Sequence, residues 1–269
     1  MLTIDRGTGE PLILIPGLQG RWEYMRRAVD ALSQSHRVIT FSLCDEPSAC
    51  APIDLDHRGI DGYVAHIEAI LNTLKIDRAA ICGVSFGGLI ALRFAATLTE
   101  RTSALILAST PGPQFHLKTR HRLYAHVPWL FGPFFAAESP SRLRAEMNAA
   151  LPDERERRRF INDAVKIFRE APLSAPRMAR RALLIESYDR LTDCACITCP
   201  TLVIHGDPSL DFVVDASETA NYGRLISGAR VVMMERTGHI GSITQPQRFA
   251  DIVSGFLDST RKDSRHSAA

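Results

Sequence analysis

Short runs of apolar residues recur along the chain, at 12–15, 37–43, 79–82, 103–108, 201–205 and 230–234. Most are apolar at nearly every position, as in Leu-Ile-Leu-Ile at 12–15. A strand of that kind is buried on both faces. Stretches near 22–33, 60–74 and 89–98 instead repeat their apolar residues at helical spacing. Strands alternating with helices predict an α/β fold, with a mostly parallel central sheet covered by helices on both faces and joined by right-handed crossovers. Residues 1–5 add an antiparallel edge strand through a turn at Gly7-Thr8-Gly9.

The alternation stops between about 111 and 199. Prolines stand at 111, 113, 128, 133, 140, 152, 172 and 176, with helical segments between them and no strand run. Residues 114–190 therefore read as a helical cap inserted into a core made of 1–113 and 191–260. The last residues, 261–269, are polar and aperiodic and read as a disordered tail.

The sharpest chemical signal is Ile-Cys-Gly-Val-Ser-Phe-Gly-Gly at 81–88, a G-x-S-x-G pattern centred on Ser85. It follows an apolar strand and precedes an apolar helix, the context in which a strand-to-helix turn lifts a nucleophilic serine clear of a sheet. A serine needs a base to take its proton and an acid to orient that base. His239 follows the last predicted strand in Arg-Thr-Gly-His, so it lies at a strand's C-terminal end, where active groups of open sheets gather. Asp207, Asp211 and Asp215 all lie past the strand at 201–205. Asp211 is preferred as the acid, because Phe-Val-Val after it would anchor the loop while the carboxylate points inward. Asp207, before a proline, is the alternative, and Asp215 suits a helix cap. Oxyanion donors are expected from the backbone N–H of Phe86 and from Leu18 in the loop Pro16-Gly17-Leu18-Gln19-Gly20.

Composition narrows the possibilities. Apolar residues form 45% of the 269, enough for a substantial core. The net charge of +2 gives no field for nucleic acid. The charge is uneven, since residues 114–190 carry 15 Lys and Arg against 9 Asp and Glu, which would favour anionic substrates over cationic ones. No apolar run approaches the roughly 18–20 residues of a membrane helix. The first residues lack the basic and apolar segments of a signal peptide, which points to a cytoplasmic protein. Six cysteines in so long a chain do not suggest a disulfide framework. Cys194, Cys196 and Cys199 cluster without a fourth ligand at zinc-site spacing and read as small packing residues. Neither a metal nor another cofactor is expected.

Together these residues resemble the α/β-hydrolase superfamily, in its cap-bearing branch of small esterase-like and lactonase-like proteins. The resemblance spans nearly the whole chain: the elbow at 83–87, the loop at 16–20, Asp-Phe-Val-Val at 211–214, and Gly238-His239. Two departures stand out. Many members have His-Gly where this chain has Pro16-Gly17, so a side chain that often supports the loop is missing. The acid also lies five residues after Gly206, a loop two residues longer than usual. The resemblance implies that 114–190 shapes the substrate pocket, and that the protein is a serine hydrolase acting on a small carboxylic ester or related acyl compound. The alternatives are acyl transfer or carbon–carbon bond hydrolysis with the same three residues, or a ligand sensor that retains the fold. The aromatic run Val127-Pro128-Trp129-Leu130-Phe131 with Phe134 and Phe135 would either line the pocket or glue the cap to the core. The sequence leaves oligomeric state open.

Overall fold

The computed structural model describes residues 3–46 and 58–267, with the backbone alone at 131–140 and 263–267. Among these, seven strands form one sheet in the order β1-β3-β2-β4-β5-β6-β7. They are β1 (Thr3–Arg6), β2 (Pro11–Ile15), β3 (Arg37–Phe41), β4 (Ala79–Val84), β5 (Thr102–Ala108), β6 (Thr201–Gly206) and β7 (Arg230–Met234). β1 pairs antiparallel with β3, and every other pairing is parallel. Of the predicted edge strand, residues 1 and 2 lie outside the described residues.

The apolar strands are explained by what covers them. Alternate residues of β2 point to opposite faces, Ile13 and Ile15 into one core and Leu12 and Leu14 into the other. The first core is closed by α2 (Ile60–Thr73) and α3 (Phe86–Thr97), through residues such as Ile67, Ile70, Leu89 and Leu92. The second is closed by α1 (Arg26–Leu32) and α12 (Pro246–Ser267), through Val29, Leu32, Phe249 and Val253. The chain leaves β2 for β3 on one side and returns to β4 on the other. Loops after β2 and β4 therefore part at a switch of strand order, where open α/β sheets place their ligands.

Between β5 and β6 the described residues are helical or irregular, with no strand. This region holds α4 (Thr119–His126), α5 (Pro128–Ala150), α6 (Glu154–Glu170), α7 (Ala175–Ser187) and α8 (Arg190–Cys196). Asp153 caps α6 by accepting from the amides of Arg155 and Glu156, and Asp189 caps α8 in the same way. Past β6, α9 (Ala216–Ala220) starts at Asp215, whose carboxylate accepts from Ser217 and Glu218, the cap its position suggests. α10 (Tyr222–Leu225) and α11 (Gly241–Thr244) complete the set.

Residues 261–267, within the tail read as disordered, continue α12, and 268 and 269 lie outside the described residues. The helix is nucleated by its buried face at Phe249, Val253, Phe256 and Leu257, and adding polar residues to an existing helix costs little. Trp129, expected to line a pocket or bind cap to core, is 77% exposed, and Leu130 is exposed beside it. The side chains of Phe131, Phe134 and Phe135 lie outside the described residues. Phe212 and Val213 also face solvent, so Val214 alone of that triplet anchors the acid loop.

Candidate active site

Ser85 stands between β4 and α3 with φ 55° and ψ −122°, a left-handed conformation that side chains rarely adopt. The backbone around it leaves no room for relaxation. A Cβ on Gly83 would lie 2.2 Å from the Gly87 carbonyl oxygen, so that position must be glycine. The Ser85 amide donates to the Ala108 carbonyl at 2.8 Å, and the Gly88 amide donates to the Ser85 carbonyl at 2.9 Å. Strain held by such bonds presents the hydroxyl outward.

His239 comes from the loop after β7 and meets that hydroxyl, with Nε2 3.0 Å from Ser85 Oγ. On its other side, His239 Nδ1 lies 3.5 Å from Asp211 Oδ2, an ion-pair contact longer than an ordinary hydrogen bond. Neither atom has another partner among the described residues. The Asp211 side chain is 1% exposed and the imidazole 12%. Asp211 Oδ1 is held by the amides of Val213 and Val214 at 2.9 and 3.0 Å, which aims Oδ2 at the imidazole. Burial alone would pull the imidazole pKa down. The charges of Asp211 and Glu146 outweigh burial and leave it raised above the usual histidine value. Asp207 turns elsewhere, its carboxylate accepting from the amide and hydroxyl of Ser209 at 2.8 and 2.7 Å.

The loop after β2 closes against the serine. A Cβ on Gly17 would sit 3.3 Å from Ser85 Cβ, and one on Gly87 would meet the Ile15 and Pro16 carbonyls. The Gly20 amide closes the turn on the Gly17 carbonyl at 2.9 Å. Leu18 lies in this turn. Phe86 opens α3 with its ring buried and set edge-on to Tyr63. Ser85, His239 and Asp211 are thus brought together, and the loop carrying Leu18 and the start of α3 at Phe86 adjoin the serine.

The family described as the alpha/beta hydrolase fold matches the chain over residues 10–246. The chain belongs to that family. It is an α/β-hydrolase enzyme, and its sequence is 28% identical over 266 residues to 2-hydroxy-6-oxo-2,4-heptadienoate hydrolase of Pseudomonas putida, covering 94% of this chain and 91% of that one. Its fold matches a hydrolase from Pseudomonas aeruginosa PA01 with a TM-score of 0.78 at 19% identity, over 95% of this chain and 93% of that one. It also matches a meta-cleavage product hydrolase from Pseudomonas fluorescens IP01, with a TM-score of 0.67 and 26% identity over 96% and 93% of the two chains.

In this α/β hydrolase two buried charges of the helical region reach the same loops, and sequence reasoning passed over both. Arg181 of α7 is fully buried. Its guanidinium donates to Asp45 at 3.1 and 2.6 Å, to Glu46 at 2.6 Å and to the Leu18 carbonyl at 2.8 Å. It fills the space beside Gly20, where a Cβ would fall 2.1 Å from its Nη1. Arg181 thus supports the loop that lacks the usual histidine. Glu146 of α5 is also fully buried, and its carboxylate accepts from the Ile240 amide at 3.0 and 3.1 Å. Burial raises its pKa to about 7 against the opposing effect of backbone amide donors. Each lies in an apolar stripe, Glu146 among Leu143, Met147 and Ala150, and Arg181 among Met178, Leu184 and Ile185. A charge in such a stripe is the signal that could have found them.

Cys194 is buried, Cys196 exposed, and burial pushes the Cys194 thiol up to about 12. Among the described residues no group of three His, Cys, Asp or Glu is placed to hold a metal ion.

Proposed function

We propose that this hydrolase cleaves small acyl compounds, carboxylic esters foremost, with Ser85 as nucleophile, His239 as base and Asp211 as the acid that orients it. The observation that carries the reading is the 3.0 Å contact from His239 Nε2 to a serine hydroxyl held on a strained turn. His239 takes the Ser85 proton as Oγ attacks the carbonyl carbon. The oxyanion forms against the amides of Leu18 and Phe86. As it collapses, the bond to the leaving group breaks and His239 returns the proton to it. Water, deprotonated by His239, then attacks the acyl-enzyme, releases the acid and restores Ser85. Asp211 and the charge of Glu146 favour the imidazolium that forms in both steps.

Carbon–carbon bond hydrolysis is the second reading, favoured by the names of the Pseudomonas putida and Pseudomonas fluorescens relatives. In that reaction the broken bond joins an acyl carbon to a carbon leaving group. A panel of p-nitrophenyl esters of increasing acyl length, with lactones and a 2-hydroxy-6-oxo-dienoic acid beside them, separates the two. Turnover of the shorter esters is the expected result. Cleavage of the dienoic acid with no ester turned over would replace ester hydrolysis by the second reading. Failure of the whole panel, with no labelling by a fluorophosphonate, would leave a ligand sensor.

The acid can be tested separately. Asp211→Asn should lower ester kcat/KM by roughly 10⁴-fold, because the amide cannot stabilise an imidazolium. Asp207→Asn should stay within about twofold of wild type, since the Asp207 carboxylate accepts from Ser209 in its own turn and points away from His239. Reversed effects in the two variants, read by steady-state kinetics, would move the acid to Asp207.

A further inference from the structure

Glu146 exchanges no proton and forms no bond in the steps above, yet it is buried at the histidine loop with a charge that acts on His239. The last two turns of α5 grip this loop on both sides of the imidazole. After it, the Ile240 amide donates to Glu146. Just before it, Gly238 passes so close that a Cβ would fall 2.8 Å from Glu146 Oε2. Two residues further back, Arg236 donates from Nε and Nη2 to the Ala149 carbonyl at 3.1 and 2.9 Å. Ile240 then packs with Met147, Ala150, Leu151 and Phe160. A buried carboxylate is costly, and packing alone would be served better by a leucine at 146.

We propose that Glu146 is a positioning residue for His239: a carboxylate carried by the helical region fixes the backbone of 238–240 and keeps the imidazole aligned toward Ser85. The proposal rests on reading Ser85 and His239 as nucleophile and base. Among the described residues, the charged groups facing Glu146 are His239 and Asp211. Arg236 and Arg157 approach the end of the helical segment further along, at the Ala149 and Leu151 carbonyls. An anion near an imidazole favours its protonated form; Glu146, its own pKa raised to about 7, carries its full charge only above neutrality, and there removing it lowers the pKa of His239 and moves the rise of reactivity to lower pH. The charge also aids the imidazolium formed as Ser85 attacks, so its loss slows the reaction even where His239 is neutral. Helix α5 is thereby joined to the base, and displacing it would disturb His239.

The test is the rate at which a fluorophosphonate labels the purified full chain from pH 5 to 9, which requires no knowledge of the substrate. Glu146→Gln keeps the size and removes the charge. It should label about tenfold more slowly at its plateau, with its midpoint lower by roughly half a pH unit or more. A midpoint equal to wild type would overturn the proposal and reduce Glu146 to a structural contact, whatever the plateau. Circular dichroism checks the fold of each variant. Glu146→Asp, which keeps the charge on a shorter stem, carries the test if the glutamine variant does not fold. It should hold the wild-type midpoint with a lower plateau, and a wild-type plateau would equally overturn the positioning role. Ser85→Ala and His239→Ala run alongside. Wild-type labelling in either would remove the underlying reading, whereas loss in both with an unmoved Glu146→Gln profile would remove this proposal alone.

Discussion

Ser85→Ala is expected to lower ester kcat/KM by about 10⁴-fold or more while leaving KM within a few-fold, because the hydroxyl acts on the transition state and contributes little to ground-state binding. The hydroxyl sits at the one left-handed position between β4 and α3, 3.0 Å from His239, the base proposed for it. Removing either partner therefore disables the same step. His239→Ala should fall by a comparable factor, and the double variant should be no worse than the poorer single variant. The activity that remains would come from the Leu18 and Phe86 amides and from binding, which neither substitution touches. Stability should change little in Ser85→Ala, since alanine keeps the Cβ that makes φ 55° unfavourable and loses only the hydroxyl. Steady-state kinetics on the three variants, with thermal melts beside them, checks both parts. Independent, multiplying losses in the double variant would show that serine and histidine do not act as a unit.

What could be read beforehand follows from how local the signals are. The sheet was legible because β2, β4 and β5 must be apolar on both faces, a demand that writes itself into consecutive residues. The elbow was legible because a strained serine requires glycine at fixed offsets, here Gly83 and Gly87. His239 and Asp211 were reachable because each follows a recognisable strand. The two buried charges were not, since their partners are remote in sequence: Arg181 meets Asp45, Glu46 and Leu18, and Glu146 meets Ile240. Arg181 was hidden further by two arginine neighbours on α7, Arg177 and Arg180, which are not buried. The error over Phe212 has a related cause. Hydrophobicity predicted an anchor, but the loop is held mainly by amide donors to Asp211, which leave no trace in side-chain composition.

Arg181→Met should cost about 3–5 kcal/mol, far more stability than Ser85→Ala, because it leaves two buried carboxylates without their cation. The Asp45 and Glu46 side chains are 6% and 2% exposed. Tyr63 donates to Asp45 at 3.1 Å, and Arg177 approaches Glu46 only at 3.8 Å, so neither can replace a guanidinium that donates to both. In a chain of this size the loss corresponds to a fall in melting temperature of roughly 10 °C. Arg181→Lys should fall between wild type and Arg181→Met, since an ammonium restores the charge but cannot span Asp45, Glu46 and the Leu18 carbonyl at once. Neutralising the acids together with the arginine, as Asp45→Asn, Glu46→Gln and Arg181→Met in one chain, should recover part of the stability, because the cost lies in the orphaned charges more than in the lost attraction. Urea titrations of the four proteins measure these differences. A single Arg181→Met variant as stable as wild type would mean that water reaches Asp45 and Glu46 freely. The loop from Pro16 to Gly20 would then be held by its own turn rather than by the helical region above it.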